Sequence, residues 1–321
     1  MTPGAVPARL VPGGTVGGYR LEQRLGQGGM AVVYLARHDR TSGLVALKVL
    51  TPALGRSAEF RARFVRESQA AVSVSHRHIL PVHDAGEADG HLYIAMRYVR
   101  GGDVRGLLRR AGPLPPGLAG TVIAQIASGL DIAHASGLVH RDVKPANMLL
   151  EAPVEAAGAG RYPIHGYLAD FGVSKQVLAP GLTVTGQIVG TLDYIAPEQL
   201  EGRPLDGRAD QYSLACTAYE LLAGIPPFRR GQREAIIYAQ MTEPPPSLAA
   251  RRPGIAATVD AVLAKALSKS RSGRYRSCTE FAADLSLALG QAAAAPRATD
   301  ETRPARRPPR GTEPPTARRD P

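Results

Sequence analysis

The sequence predicts an α+β chain of two lobes, a small mostly-β part with one key helix followed by a larger mostly-α part. Three observations carry this expectation. Short β-branched segments, "AVVYLAR", "LVALKVL" and "HLYIAMRYV", crowd the stretch from Tyr19 to about Val99. A single helical pattern, "AEFRARFVRESQAAVSV", interrupts them with apolar Phe60, Phe64 and Ala71. From Gly120 onward long helical patterns take over: "LAGTVIAQIASGLDIAHASG", "ADQYSLACTAYELLAG" and "TVDAVLAKALSKS". The stretch "YVRGGD" falls between the two characters and reads as the connector.

The two ends differ from this body. Residues 1–17, rich in Gly and Pro, read as a flexible arm. Residues 291–321 are Pro, Arg and Ala with almost no large apolar side chain, so they cannot bury a core and read as a disordered tail or juxtamembrane linker. That tail holds seven Arg and four acidic residues, +3 of the net +11; the other +8 is scattered. With no basic helix and no aromatic-spaced basic patch, the charge gives no nucleic-acid site. Cys216 and Cys278 lie far apart in helical contexts and read as reduced core residues. The opening "MTPGAVPARLVPGG" lacks the apolar run of a signal peptide, and no run of about 18 apolar residues predicts a membrane span. The expectation is therefore a cytoplasmic protein, or the cytoplasmic part of a membrane-anchored one.

"LGQGGMAVVYLAR" brings Gly26, Gly28 and Gly29 before an alternating strand. A dinucleotide fingerprint needs a helix at that point, and a P-loop needs Gly-Lys-Ser/Thr, which the chain lacks. A hairpin remains, either a plain turn or a backbone able to lie close over phosphates. The next strand, "VALKVL", carries Lys48, either an edge residue with its ammonium in water or a point charge for phosphate oxygens. If buried it needs an anion, and Glu67 in "FVRESQAAV" is the candidate. Farther on, "HRDVKPANMLL" packs His140, Arg141, Asp142, Lys144 and Asn147 against an apolar run. Alone it fits a solvated bend as well as a reactive loop.

Taken in order, these segments resemble the protein kinase family over about residues 18–290. "GQGGMAVV" is similar to its Gly-rich loop, "VALK" to its strand lysine, "HRDVKPAN" to its catalytic loop, "DFG" from Asp170 to its metal motif, and "APE" from Ala196 to the end of its activation segment. Phrases such as "TVTGQIVGTLDYIAPEQLEG" resemble bacterial Hanks-type serine/threonine kinases of actinobacterial character. The resemblance implies a two-lobed kinase fold with a small lobe at about 18–99 and a large lobe at about 100–290. It also implies ATP with Mg2+ (or Mn2+) as cofactors and proteins with Ser or Thr acceptors as substrates.

The resemblance further implies roles. Asp142 would take or orient the acceptor proton, Lys144 would meet the γ-phosphate, and Asn147 and Asp170 would hold the metal. Lys48 would grip the α- and β-phosphates with Glu67 fixing it. Leu25, Gly26, Gln27, Gly28, Gly29, Met30, Ala31 and Val32 would cover the nucleotide. Val33 and Ala46 would lie above the base and Leu149 below it, with Met96 as gatekeeper and the Arg97 and Val99 backbone as its edge contacts. Asp103 would either touch the ribose or cap a helix. Glu198 would pair with Arg274, and Asp210 would brace the catalytic loop. Thr183 and Thr185 would be phosphosites read by Arg141 after trans-autophosphorylation, and Thr191 would help form the acceptor site.

This chain departs from the family pattern in three places. Ala31 stands at the third glycine, Arg97 at a usually acidic hinge position, and "EAPVEAAGAGRYPIHGY" is a longer insert than usual. The alternative to an active enzyme is a nucleotide-binding pseudokinase or scaffold; the presence of Lys48, Asp142 and Asp170 argues against it. Pairing of two copies through the small lobe is a further expectation from relatives.

Overall fold

In the computed structural model the described residues are 10–29, 31–51, 57–154, 164–171 and 192–294. Met30, Gly172, Thr183, Thr185 and Thr191, and the side chain of Glu67, lie outside them.

Six antiparallel strands form the first lobe: β1 Thr15–Val16, β2 Tyr19–Gln27, β3 Ala31–His38, β4 Leu44–Leu50, β5 Val82–Ala88 and β6 His91–Arg97, in the order β1-β2-β3-β4-β6-β5. Helix α1, Ala58–Ser73, starts where the Ser57 hydroxyl accepts the Phe60 amide, an N-cap. Side chains alternate along a strand, so β4 serves two clusters. Val45, Leu47 and Val49 pack outward with Tyr19, Leu21, Tyr34 and Ala36. Ala46 and Leu50 turn inward, toward Phe60 and Phe64 of α1. By the same period Lys48 also faces inward, beneath the hairpin.

At the N-terminal arm the structure differs from expectation. Thr15–Val16 joins the sheet, Val16 is buried, and the Leu10 carbonyl accepts the Tyr34 hydroxyl at 2.8 Å. Val16 and Leu10 pack on the outer core of the sheet and dock this end, while Gly17 and Gly18 take positive φ and turn the chain into β2.

The second lobe contains α2 Val104–Ala111, α3 Pro116–Ala135, β7 Met148–Leu150, β8 Gly166–Leu168, α4 Pro197–Leu200, α5 Gly207–Ala223, α6 Arg233–Thr242, α7 Leu248–Arg251, α8 Ala257–Ala266 and α9 Cys278–Ala294. Strands β7 and β8 pair as a hairpin. Helix α5 is buried on nearly every side and centres the core. Helix α3 has the length and apolarity to cross a bilayer, yet half of it is buried inside this lobe, which is how a core helix packs. Asp131 of α3 caps α9 from outside, accepting the amides of Cys278 (2.8 Å) and Thr279 (2.9 Å). Cys216 and Cys278 are free and buried, and burial raises both thiol pKa values. Helix α9 runs to Ala294 and takes in the first four residues of the expected tail.

The lobes meet along two seams. Leu80 N–H donates to Leu168 O (2.9 Å), and Leu168 N–H donates to His78 O (2.8 Å). On the connector side Leu150 N–H donates to Gly102 O (3.0 Å). Gly101 is required there, because a Cβ would fall 2.2 Å from Leu150 O. The cleft between the lobes, lined by Lys48 and Asp170, lies between these seams.

Candidate active site

The inner face of the sheet is set by register. Val33 sits opposite Lys48 and Lys48 opposite Ile94, while Ala46 sits opposite Met96. Directly paired residues share a face, so Val33, Ala46, Lys48, Ile94 and Met96 line one wall of the cleft. Ala46, Val99 and Leu149 join the apolar cluster there, with Leu149 supplied by the other lobe. Gly26 and Gln27 continue β2 opposite Val33 and Val32, and Gly28 N–H closes the hairpin on Ala31 O at 2.9 Å. Leu25 and Gly29 are exposed at the rim. The Arg97 amide is already donated to Pro81 O (2.9 Å), which leaves a base only its carbonyl; its guanidinium turns away to Glu151 at 2.7 Å. Asp103 takes the capping role, accepting Gly106 N–H at 2.7 Å at the start of α2.

Lys48 Nζ lies 2.9 Å from Asp170 Oδ1, with the lysine side chain only 16% exposed. Behind the pair a small cavity is lined by Leu50, Phe64, Ser68, Ile94 and Met96 together with Lys48 and Asp170. The Ser68 hydroxyl is buried there with no hydrogen-bond partner among the described residues. Asp170 holds φ +61°, a left-handed conformation rare outside glycine and common where a site fixes its backbone.

The polar cluster of residues 140–147 is a braced loop. Arg141 has φ +65°. Asp210 on α5, fully buried, accepts His140 N–H, Arg141 N–H and His134 Nε2–H, each at 2.7 Å. Gly207 permits the His134 contact, since a Cβ would meet that ring at 2.4 Å. His140 donates from Nε2 to Ala169 O (3.0 Å) and accepts Asp142 N–H at Nδ1 (3.2 Å). Burial lowers its pKa, so the neutral ring ties the Asp142 loop to the segment carrying Asp170. Asp142 Oδ2 receives Lys144 Nζ at 2.8 Å and Asn147 Nδ2 at 3.1 Å, and Asn147 Nδ2 also donates to Asp142 O at 2.8 Å.

Beyond the undescribed 172–191 stretch, the 3-10 turn Leu192–Tyr194 leads into α4. Ser213 Oγ donates to Tyr194 O (2.7 Å), and the Tyr194 hydroxyl donates to Glu220 (2.5 Å). Glu198 and Arg274 form a doubly hydrogen-bonded pair at 2.7 and 2.9 Å, both side chains buried. Gln199 accepts Ala196 N–H and donates to Arg141 O, both at 3.2 Å, joining this segment to the residue before Asp142. Sequence reasoning does not find Gln199, because an amide that satisfies scattered backbone groups leaves no pattern.

The structure thus holds a glycine hairpin, a sheet lysine paired to Asp170, and a braced Asp142 loop. The protein kinase domain family matches residues 19–283. The chain belongs to the protein kinase family. Its similarity is to bacterial serine/threonine kinases of the Hanks type. It is 46% identical over 286 residues to the serine/threonine-protein kinase PknF of Mycobacterium tuberculosis, covering 88% of this chain and 59% of that protein. It is 43% identical over 282 residues to PknJ of Mycobacterium bovis, covering 87% and 47%. The chain thus spans about half the length of these curated relatives. The crystal structure of the M. tuberculosis PknI kinase domain superposes with a TM-score of 0.69 at 40% identity, over 88% of this chain and 99% of that one.

Proposed function

We propose that this protein transfers the γ-phosphoryl group of MgATP to Ser or Thr hydroxyls of proteins. The carrying observation is that Lys48 of the sheet pairs with Asp170 at 2.9 Å, while His140 ties the Asp142–Lys144–Asn147 cluster to Ala169, the residue before Asp170. Phosphoryl transfer asks for positioning and charge neutralisation more than covalent chemistry, and these groups offer that. Asp142 orients the acceptor hydroxyl and takes its proton, while Lys144 neutralises the moving phosphoryl. Lys48 holds the α- and β-phosphates. Glu67 is its expected second anion.

The donor set fits a hard divalent cation. With its Nδ2 committed to Asp142, Asn147 has its side-chain oxygen left to offer; Asp170 has its carboxylate. Asn147 and Asp170 would hold magnesium, or manganese, which when bound neutralises phosphate charge. Met96 borders the base, Val33 and Ala46 cover it, Leu149 lies under it, and the Gly26–Val32 hairpin closes over the phosphates.

Regulation belongs to the same reading. Arg141 Nε, beside the catalytic loop, is buried and has no hydrogen-bond partner among the described residues, a donor suited to a phosphate on Thr183 or Thr185. Thr191 lines the acceptor site. Residues 18–290 are taken as the catalytic domain, acting in the cytoplasm, with trans-autophosphorylation between copies and pairing through the small lobe. Among the described residues no observation favours a pseudokinase, since Lys48, Asp142, Asn147 and Asp170 are all in place. Incubation with magnesium and labelled ATP, wild type against Asp142→Asn, tests the reading. Equal incorporation into protein would overturn it.

A further inference from the structure

A buried polar chain runs from the far side of the helical lobe to the edge of the acceptor segment. Gln240 of α6 and Tyr212 of α5 are both fully buried. Gln240 Nε2 donates to Leu192 O at 3.0 Å, and Gln240 Oε1 accepts the Tyr212 hydroxyl at 2.7 Å. The Tyr212 oxygen in turn accepts Lys269 Nζ at 3.1 Å. Lys269 also donates to Ala239 O (3.1 Å) and stands 3.9 Å above the Phe228 ring.

The direction of this chain is forced. A protonated lysine can only donate, so the Tyr212 hydrogen must point onward to the Gln240 carbonyl oxygen. That choice leaves the Gln240 amide hydrogens facing Leu192 O. Each step fixes the next, and the cation at the start polarises the later donors. Leu192 is the residue after Thr191, and its neighbour Tyr194 is pinned separately by Ser213 and Glu220. The first carbonyl of this turn accepts the Ile195 amide at a longer 3.3 Å, and is tethered to another helix by the Gln240 side chain.

We propose that Gln240 is a positioning residue for the protein acceptor, holding the Leu192 carbonyl through the Lys269–Tyr212–Gln240 chain so that the acceptor hydroxyl meets Asp142 in register. This rests on the phosphotransferase reading and deepens it by separating acceptor placement from nucleotide binding. The nucleotide face is built from the sheet and from residues 142–170, and the chain touches none of it. Misplacing a reacting group by about 1 Å costs on the order of 100-fold. The loss of one buried donor should be felt at the acceptor alone.

The test uses the full chain, with myelin basic protein as acceptor. Gln240→Glu keeps the shape but sets an oxygen against Leu192 O. Its KM for the acceptor should rise by about tenfold. Its KM for ATP and its acceptor-independent ATP hydrolysis should match wild type. The defect should shrink as pH is lowered toward ~6, because a protonated buried carboxyl regains a donor. A purely structural glutamine would lower Tm without that split or that pH recovery. Tyr212→Phe, which retains the ring, should raise the acceptor KM in the same direction by less, and it decides the matter if Gln240→Glu does not fold. An active wild type with unchanged acceptor KM in the folded variants overturns this inference alone. A wild type that transfers no phosphate overturns the underlying function and the inference with it.

Discussion

Lys48 of the sheet and Asp170 of the helical lobe share one ion pair, 2.9 Å long, and it bridges the cleft. A lysine on a central strand is expensive to hide, and here its charge is met by a carboxylate from the opposite lobe rather than by a neighbour in its own sheet. The pair therefore ties the two lobes together across the cleft.

Replacing Lys48 with Met should reduce phosphate incorporation by at least about 100-fold, the usual scale for a lost charge at a developing anion. The protein should still fold, because Met fits the apolar face between Val33 and Ile94. Labelled-ATP incorporation with circular dichroism as a control checks this. Retained transfer would detach Lys48 from the chemistry.

Asp210 carries a different load. It accepts three hydrogen bonds at 2.7 Å from His134, His140 and Arg141, and two of these hold the loop before Asp142. Asp210→Ala leaves three donors unpaired, that of His140 buried and those of His134 and Arg141 partly so, which should destabilise the protein by roughly 3 kcal/mol. Transfer by the surviving folded fraction should also fall, since Arg141 loses what keeps it at φ +65°. Urea denaturation with parallel activity measurement checks both; a variant as stable and active as wild type would refute the bracing role.

Much of this was legible in the sequence. The segment "LVALKVL" reads as a strand carrying Lys48, and β4 spans those seven residues. The long apolar patterns of α3, α5 and α8 likewise fall within a few residues of their observed bounds. Strand β5 was not legible, because "VHDAGEA" carries Gly, Asp and Glu where alternation should be. Its polarity has a tertiary cause: Asp84 accepts the Tyr93 hydroxyl at 2.8 Å and the Tyr19 hydroxyl at 3.5 Å. The pairing of Lys48 was legible only in kind. Local sequence pointed to an anion at Glu67, whereas the described partner, Asp170, is brought near by the seam at Leu80 and Leu168. Asp103 shows the converse, a residue with two sequence readings whose capping role geometry displays directly.

The Glu198–Arg274 pair is buried at both ends, with side chains 3% and 0% exposed. Arg274 also donates to Ser268 O (2.8 Å) and Arg208 O (2.9 Å), so it ties α4, α5 and the loop after α8 together. Removing one partner strands a buried charge, at about 3–5 kcal/mol. Glu198→Gln should therefore lower Tm sharply, and Glu198→Gln with Arg274→Met should recover part of the loss. Thermal melts of the single and double variants check this; additive losses would mean the two charges do not interact.

Lys269 supplies the pH-dependent prediction. Burial lowers its pKa from 10.5 to about 8, opposed by the nearby Cys216 and Glu243 and reinforced by Arg274. The folded protein thus binds this proton less tightly than the unfolded chain does. Between about pH 8 and 10.5 the unfolded state holds the extra proton, so the lysine's burial penalty fades as pH rises. Below pH 8 both states are protonated and the penalty is fully present. Lys269→Met removes the penalty at every pH, at a roughly constant cost in lost hydrogen bonds to Tyr212 and Ala239. The stability of the variant relative to wild type should accordingly be greatest near pH 7 and decline by on the order of 1 kcal/mol toward pH 10, the full linkage value being reduced by partial solvent contact. Urea melts of both proteins at pH 7, 8, 9 and 10 measure it. A difference that stays flat across that range, or grows with pH, would show that the Lys269 ammonium is not held against its own desolvation.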